Sequence, residues 1–191
     1  MSDATGAGAG PSPLVLIGFM GAGKTSVGMA AAHRLRLPFV DTDAIIAEQL
    51  GPIDEIFATK GEAVFRKIER DVVVTVLQKL RQVPSVVSLG GGAVLHPDVR
   101  AAAASLPHVV LLTAPVQVLY GRANDGSRPL AASPQAFAEL LDSRRAIYGE
   151  VATATVVNDG SRPFDEVVEE VVALVLTPAA GRSGDETGEG R

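Results

Sequence analysis

The sequence predicts an α/β protein, with a five-stranded, mostly parallel sheet between two layers of helices. Three observations carry that expectation. Short apolar runs alternate with helical stretches from residue 14 to residue 176, as in strands joined by right-handed helical crossovers. The first apolar run leads into residues 18–25 (GFMGAGKT), a complete G-x-x-x-x-G-K-[ST] loop, which needs a strand before it and a helix after it. A later run, 85–89 (SVVSL), ends in Gly90, Gly91 and Gly92, a second glycine loop at a strand end.

The elements follow in order. Residues 14–17 (LVLI) are uninterrupted apolar sequence, the mark of a strand buried on both faces. Residues 25–36 are Ala-rich, lack proline and stop before Pro38, so they read as a helix whose N-terminal dipole faces the glycine loop. A second strand is expected at 38–41 (PFVD), then helices at 43–50, 53–59 and 61–82. After the third strand come a helix at 97–105, a fourth strand at 108–113 (HVVLLT) and a helix at 115–122. Helix 134–149, strand 154–157 (ATVV) and helix 163–176 complete the series. Residues 123–133 (ANDGSRPLAAS) have little apolar content and read as an exposed mobile loop, part of a lid at about 122–133. Residues 1–12 and 178–191 are small, polar and Gly-rich, and are expected to be disordered tails around one domain at 13–177.

Composition narrows the function classes. A chain of 191 residues suffices for one domain with a full core. No stretch approaches the ~20 apolar residues of a membrane span, and the acidic, Gly/Ala-rich N-terminus does not read as a signal peptide. The absence of cysteine excludes disulfides, thiolate catalysis and Cys-ligated zinc, and fits a cytoplasmic protein. The net charge of −5 argues against nucleic acid as the main partner. Size and few exposed apolar signals fit a monomer.

The phosphate loop has a definite chemistry. Gly21, Ala22 and Gly23 let successive N–H groups converge on one anion. Lys24 places charge on the β/γ-phosphates, and the Thr25 hydroxyl can ligate Mg²⁺, with Ser26 beside it. The second strand ends in Asp41-Thr42-Asp43, at the sheet edge where open parallel sheets bind ligands. Asp41 is placed to hold the metal opposite Thr25. The third strand has Ser88 and Leu89 where an acid would normally hold the metal, which raises the weight on Asp41. Asp43 can either accept a hydrogen bond from an acceptor hydroxyl or cap the following helix. Arg66 and Glu69 are three apart and can pair on one helix face; taken alone, they and the neighbouring Phe65 read equally as a solvated charge face and a core aromatic. The glycines at 90–92 favour close approach of a ligand over a mere turn. Arg128, in the mobile loop, can swing over a γ-phosphate, and Arg144 or Arg145 can clamp a carboxylate.

These motifs together resemble shikimate kinase. GFMGAGKT (18–25), DTD (41–43), the run from Ile53 to Glu69 with its F-R-x-x-E end, GGGAV (90–94), RPL (128–130) and L-x-x-R-x-x-x-Y (141–148) occur in that family's order and spacing. The resemblance covers about residues 14–163 and implies a P-loop, nucleoside monophosphate kinase-like fold. It implies ATP- and Mg²⁺-dependent phosphorylation of the shikimate 3-hydroxyl in aromatic amino-acid synthesis. Mapped by motif, Asp43 holds the reacting hydroxyl, and Arg66 and Arg144 bind the substrate carboxylate. Gly90, Gly91 and Gly92 line the pocket, and Phe57 and Phe65 wall the substrate ring. Arg144 is chosen over Arg145 because it lies four residues before Tyr148. Lys24 and Arg128 act on the phosphates, and Arg122 and Arg162 lie near adenine. Two departures leave no expected cost: Thr25-Ser26 replaces the commoner Ser-Thr, and Met29 stands where many relatives have a basic residue. Other readings are a kinase for another small carboxylated polyol such as gluconate, and a non-catalytic nucleotide-binding module. Retention of Asp43 and Arg128 argues against the latter.

Overall fold

The computed structural model describes residues 12–124 and 133–176. Residues 125–132, with Arg128, lie outside the described residues, as do 1–11 and 177–191, so the expectations for the lid arginine and the tails fall outside them too. Five strands, β1 (Leu14–Ile17), β2 (Phe39–Asp41), β3 (Val86–Ser88), β4 (Val109–Thr113) and β5 (Ala154–Val157), form one sheet in the order β2-β3-β1-β4-β5. Every pairing is parallel, so the sheet is parallel throughout rather than mostly so. The expected eight helices are α1 (Lys24–Leu35), α2 (Thr42–Leu50), α3 (Ile53–Lys60), α4 (Glu62–Lys79), α5 (Pro97–Ala104), α6 (Val116–Ala123), α7 (Pro134–Val151) and α8 (Phe164–Leu176). A 3₁₀ turn at Ala93–Leu95 follows the glycine triplet and has no sequence forecast.

The central strand explains its own composition. All four residues of β1 are at most 1% exposed, because helices cover both of its faces. Helix α1 packs on β1, β2 and β3 and against α8, while α4, α5 and α7 pack among themselves, with α7 reaching β4. Gly28 makes the α1 contact possible: a Cβ there would sit 2.6 Å from the Phe39 ring. A smaller apolar cluster of Ile46, Ile56 and Phe65 joins α2, α3 and α4 beside the main core. It gives the α2–α4 corner its own rigid support. Helix α4 ends at Lys79, short of residue 82, where the chain turns back with Gln82 and Val83 N–H donating to the Lys79 carbonyl.

All-parallel pairing puts the C-terminal ends of the strands on one edge. Asp41 is in register with Ser88 of β3, and Leu16 of β1 lies between Ser88 and Val110 of β4. The connection after β1 runs to one side of the sheet, and the one after β3 crosses to the other. The two glycine loops therefore diverge around a switch-point crevice, where such sheets bind ligands.

Candidate active site

The phosphate loop is built by three glycines that admit no side chain. A Cβ at Gly18 would lie 2.3 Å from the Leu112 carbonyl oxygen, at Gly21 2.4 Å from that of Leu119, and at Gly23 2.5 Å from Asn158 Nδ2. All three have positive φ, at 145°, 79° and 89°, which glycine alone adopts cheaply. Gly23 is the N-cap of α1, so the helix's first N–H groups open into the loop. Lys24 Nζ folds back to donate to the carbonyls of Gly18 (2.9 Å) and Phe19 (3.2 Å). Ser26 is exposed on the first turn.

Asp41 joins two jobs. Its Oδ2 accepts from Thr25 Oγ1 at 2.7 Å, and its Oδ1 accepts from the N–H groups of Asp43 (3.0 Å) and Ala44 (3.3 Å). The helix cap that spacing offered to Asp43 therefore belongs to Asp41, whose backbone is extended at the cap position. Asp43 occupies the first turn, its carboxylate turned to the glycine loop: a Cβ at Gly90 would lie 2.4 Å from Asp43 Oδ1 and 2.7 Å from Glu69 Oε1. Thr42, between the two acids, is fully buried. Its hydroxyl donates to the Ser88 carbonyl (3.3 Å) and accepts from Gly90 N–H (3.1 Å), tying α2 to the end of β3.

The Thr25–Asp41 pair is a hard-oxygen donor set. Among the described residues no group of three or more His, Asp or Glu side chains forms a metal cage. That donor set fits Mg²⁺, which is usually held by one or two protein oxygens together with waters and substrate phosphates.

Arg66 is buttressed by two carboxylates and two rings. Its Nη1 donates to Glu69 Oε2 at 2.7 Å, while Nε and Nη2 donate to Glu62 Oε1 at 3.2 and 3.1 Å. Its guanidinium carbon lies 5.8 Å from the Phe57 ring centre and 5.4 Å from that of Phe65, within cation–π range. The two rings are 4.5 Å apart. Phe65 is buried in the α2–α4 core, the bland reading of its sequence position, and Phe57 is half-buried. Gly92 makes room for the guanidinium: a Cβ there would lie 2.1 Å from Nη1. Burial would lower the Arg66 pKa, but the carboxylates of Glu69 and Glu62 outweigh it and raise it. Glu69 is 3% exposed. Burial pushes its carboxyl above the ordinary value, Arg66 pulls it partly back, and Asp43 adds a further push upward.

Arg144 is buried, with Nη1 donating to the Gly91 carbonyl at 3.4 Å and its guanidinium 5.4 Å from the Phe19 ring centre. Arg145 is exposed and paired with Asp142 at 2.7 Å, so helix geometry turns Arg144 and not its neighbour toward the glycine loop. Tyr148, one turn on, donates its hydroxyl to the same Gly91 carbonyl at 2.5 Å. Burial pushes this phenol up to about 12, against the pull of Arg144. Gly91 lies against the phosphate loop, where a Cβ would be 3.6 Å from both Gly18 O and Met20 N. The two glycine loops are thus in contact.

At the other end of the crevice, Arg122 Nη1 donates to the Asn158 carbonyl at 2.6 Å. Arg162 donates to the Val157 carbonyl at 3.2 Å and pairs with Glu170. Asn158 itself is buried, and its Nδ2 donates to the Ala22 carbonyl at 2.9 Å. The structure therefore brings Lys24, Thr25, Asp41, Asp43, Arg66, Arg144 and the 90–92 glycines to one crevice, with Arg122 and Arg162 at its β5 side. Sequence reasoning missed Thr42 and Asn158; a polar residue just past an apolar strand run was the available signal for both, and only the structure shows that each is buried.

Known proteins resemble this chain in sequence and in fold. The family model described as shikimate kinase matches residues 20–176. A shikimate kinase of Salinispora arenicola is 44% identical over 165 residues, which cover 84% of this chain and 96% of that protein. The solved structure of a shikimate kinase from Acinetobacter baumannii in complex with shikimate has a TM-score of 0.79 at 31% identity, covering 86% of this chain and 93% of that one. A gluconokinase from Sinorhizobium meliloti is less similar, with a TM-score of 0.60 at 28% identity over 88% of this chain and 94% of its own. With a family match that spans most of the chain, the protein belongs to the shikimate kinase family.

Proposed function

We propose that the protein transfers the γ-phosphoryl group of ATP to the 3-hydroxyl of shikimate, giving shikimate 3-phosphate and ADP. One observation carries the reading beyond family membership: the phosphate loop and a carboxylate-plus-two-arginine crevice meet at Gly91, within reach of a single small acceptor. The triphosphate lies along residues 21–26, with loop N–H groups and Lys24 on its oxygens. Arg66 and Arg144 bind the acceptor carboxylate, which leaves the ring hydroxyl directed at Asp43. Arg66, already held by Glu62 and Glu69, loses little freedom on binding.

Asp43 orients the hydroxyl and accepts its proton as the new O–P bond forms. The bond between the γ-phosphorus and the β–γ bridging oxygen breaks, and its electron pair leaves with ADP. Such a transition state is loose, so positioning and charge neutralisation supply most of the rate. Lys24, and Arg128 from the lid segment, stabilise charge on the transferring group. Thr25 and Asp41 would hold Mg²⁺, which when bound neutralises phosphate charge. We place Arg122 and Arg162 near adenine and Phe57 at the edge of the acceptor ring. The protein works in the cytoplasm as a monomer.

The test is a coupled assay of ADP release with ATP and Mg²⁺, run with shikimate, with gluconate and with no acceptor. Turnover with shikimate alone is expected; preference for gluconate would overturn the acceptor. Asp43→Asn should abolish turnover while nucleotide still binds, and near-normal turnover would remove Asp43 from its role.

A further inference from the structure

We infer that Asn158 is a positioning residue for the phosphate donor: its side-chain amide turns the Ala22–Gly23 peptide so that the Gly23 N–H faces the phosphates. A trans peptide carries its C=O and N–H on opposite sides. Asn158 Nδ2 donates to the Ala22 carbonyl at 2.9 Å from behind the loop, so the Gly23 N–H of the same peptide is directed the other way, into the loop. Gly23 is shaped for this partner. Its φ is 89°, and a Cβ there would lie 2.5 Å from Asn158 Nδ2.

Asn158 is itself held at both main-chain groups. Its N–H donates to the carbonyl of Thr113, the last residue of β4, at 2.8 Å, and its carbonyl accepts from Arg122 Nη1 at 2.6 Å. The residue is 8% exposed, so its amide is aimed by the sheet edge rather than by solvent. It ties the end of β5, the end of α6 and the phosphate loop into one unit. This assignment rests on residues 18–25 being the ATP site.

The experiment uses the full chain with Asn158→Asp, which keeps the shape but removes the donor, and Asn158→Ala. The probes are ATP and inorganic tripolyphosphate, each with Mg²⁺, together with the KM values for ATP and shikimate. An unsatisfied carbonyl in the loop should weaken ATP and tripolyphosphate alike by roughly tenfold, leaving the shikimate KM unchanged. ATP weakened with tripolyphosphate unaffected would overturn the inference, since Asn158 would then act on the nucleoside end. Unchanged affinities, or a parallel rise in both substrates' KM, would overturn it too. A second measurement needs no variant: in wild-type protein the Gly23 amide proton should move downfield on adding tripolyphosphate, and an unmoved signal refutes the geometry. If wild-type protein bound neither probe, the ATP-site reading itself would fall.

Discussion

Replacing Gly92 by alanine should displace Arg66, one of the two arginines we assign to the acceptor carboxylate, and leave the fold intact. Gly92 has φ −102°, ordinary for any residue, so the change carries no backbone strain. The added Cβ would meet Arg66 at 2.1 Å from Nη1, 2.7 Å from Cζ and 3.0 Å from Nη2. Carbon-to-heavy-atom contacts settle near 3.5 Å, so the guanidinium must retreat by about 1.4 Å, the difference between 3.5 and 2.1 Å. That movement pulls Nη1 off Glu69, now 2.7 Å away and itself buried. Misplacement by about 1 Å of a group that orients substrate can cost on the order of 10²-fold. The shikimate KM should therefore rise by up to about a hundredfold, with the ATP KM moving less than about twofold, since no phosphate-loop atom is displaced. Stability should fall by about 1–2 kcal/mol through the weakened Glu69 pair, or a few degrees in Tm for this size. The assay is steady-state ADP release with shikimate varied at saturating ATP, repeated in an Arg66→Ala background. There the alanine at 92 has nothing to strike, so its effect should vanish. An unchanged shikimate KM, or an equal effect with and without Arg66, would refute the steric argument.

Two further predictions follow from the same geometry. Asp41→Asn keeps an oxygen to cap α2 but loses the charge that faces Thr25, so stability should stay within about 0.5 kcal/mol while half-maximal activity needs more Mg²⁺. Asp41→Ala should lose about 1 kcal/mol as well; urea unfolding and Mg²⁺ titration separate the two effects, and identical Mg²⁺ curves for wild type and Asn would defeat the metal assignment. Tyr148 is pushed up to about 12 from an ordinary phenol value of 10, so between those limits the folded state holds a proton that the unfolded state has lost. Folding stability should then decline as pH rises from 10 to 12, by on the order of 3 kcal/mol. Tyr148→Phe should flatten that decline in denaturant titrations across the range, and an equal slope in both proteins would show the phenol to be inert.

The strand and helix order was legible because each element has a strong local cause. LVLI at 14–17, leading into the phosphate loop, reads as a strand buried on both faces, and α1 ends before Pro38 as proline requires. The phosphate loop and the paired acids of β2 were legible as spacing. Which acid caps α2 was not, because Asp41 and Asp43 offer the same chemistry two residues apart. The extended backbone at Asp41 settles it, giving that side chain the cap and Thr25 together. Arg144 and Arg145 were separated only by the family's spacing to Tyr148, and the helix then buries one and exposes the other.

By itself, the chain's local order determined a parallel α/β domain with a triphosphate loop and the family's acceptor motifs. The tertiary structure decided how these motifs meet. Arg66 gains its place from three separate sources: the pairing with Glu62 and Glu69, the aromatic support beneath it, and the missing side chain at Gly92. Asn158 reaches Ala22 across 136 positions of sequence. The helical pairs of Arg66 are local, but the fit of its guanidinium against Gly92 and the Asn158–Ala22 bond have no local signature, because excluded volume and hydrogen bonds act between neighbours in space. In this fold the sheet edge, rather than chain order, makes those neighbours.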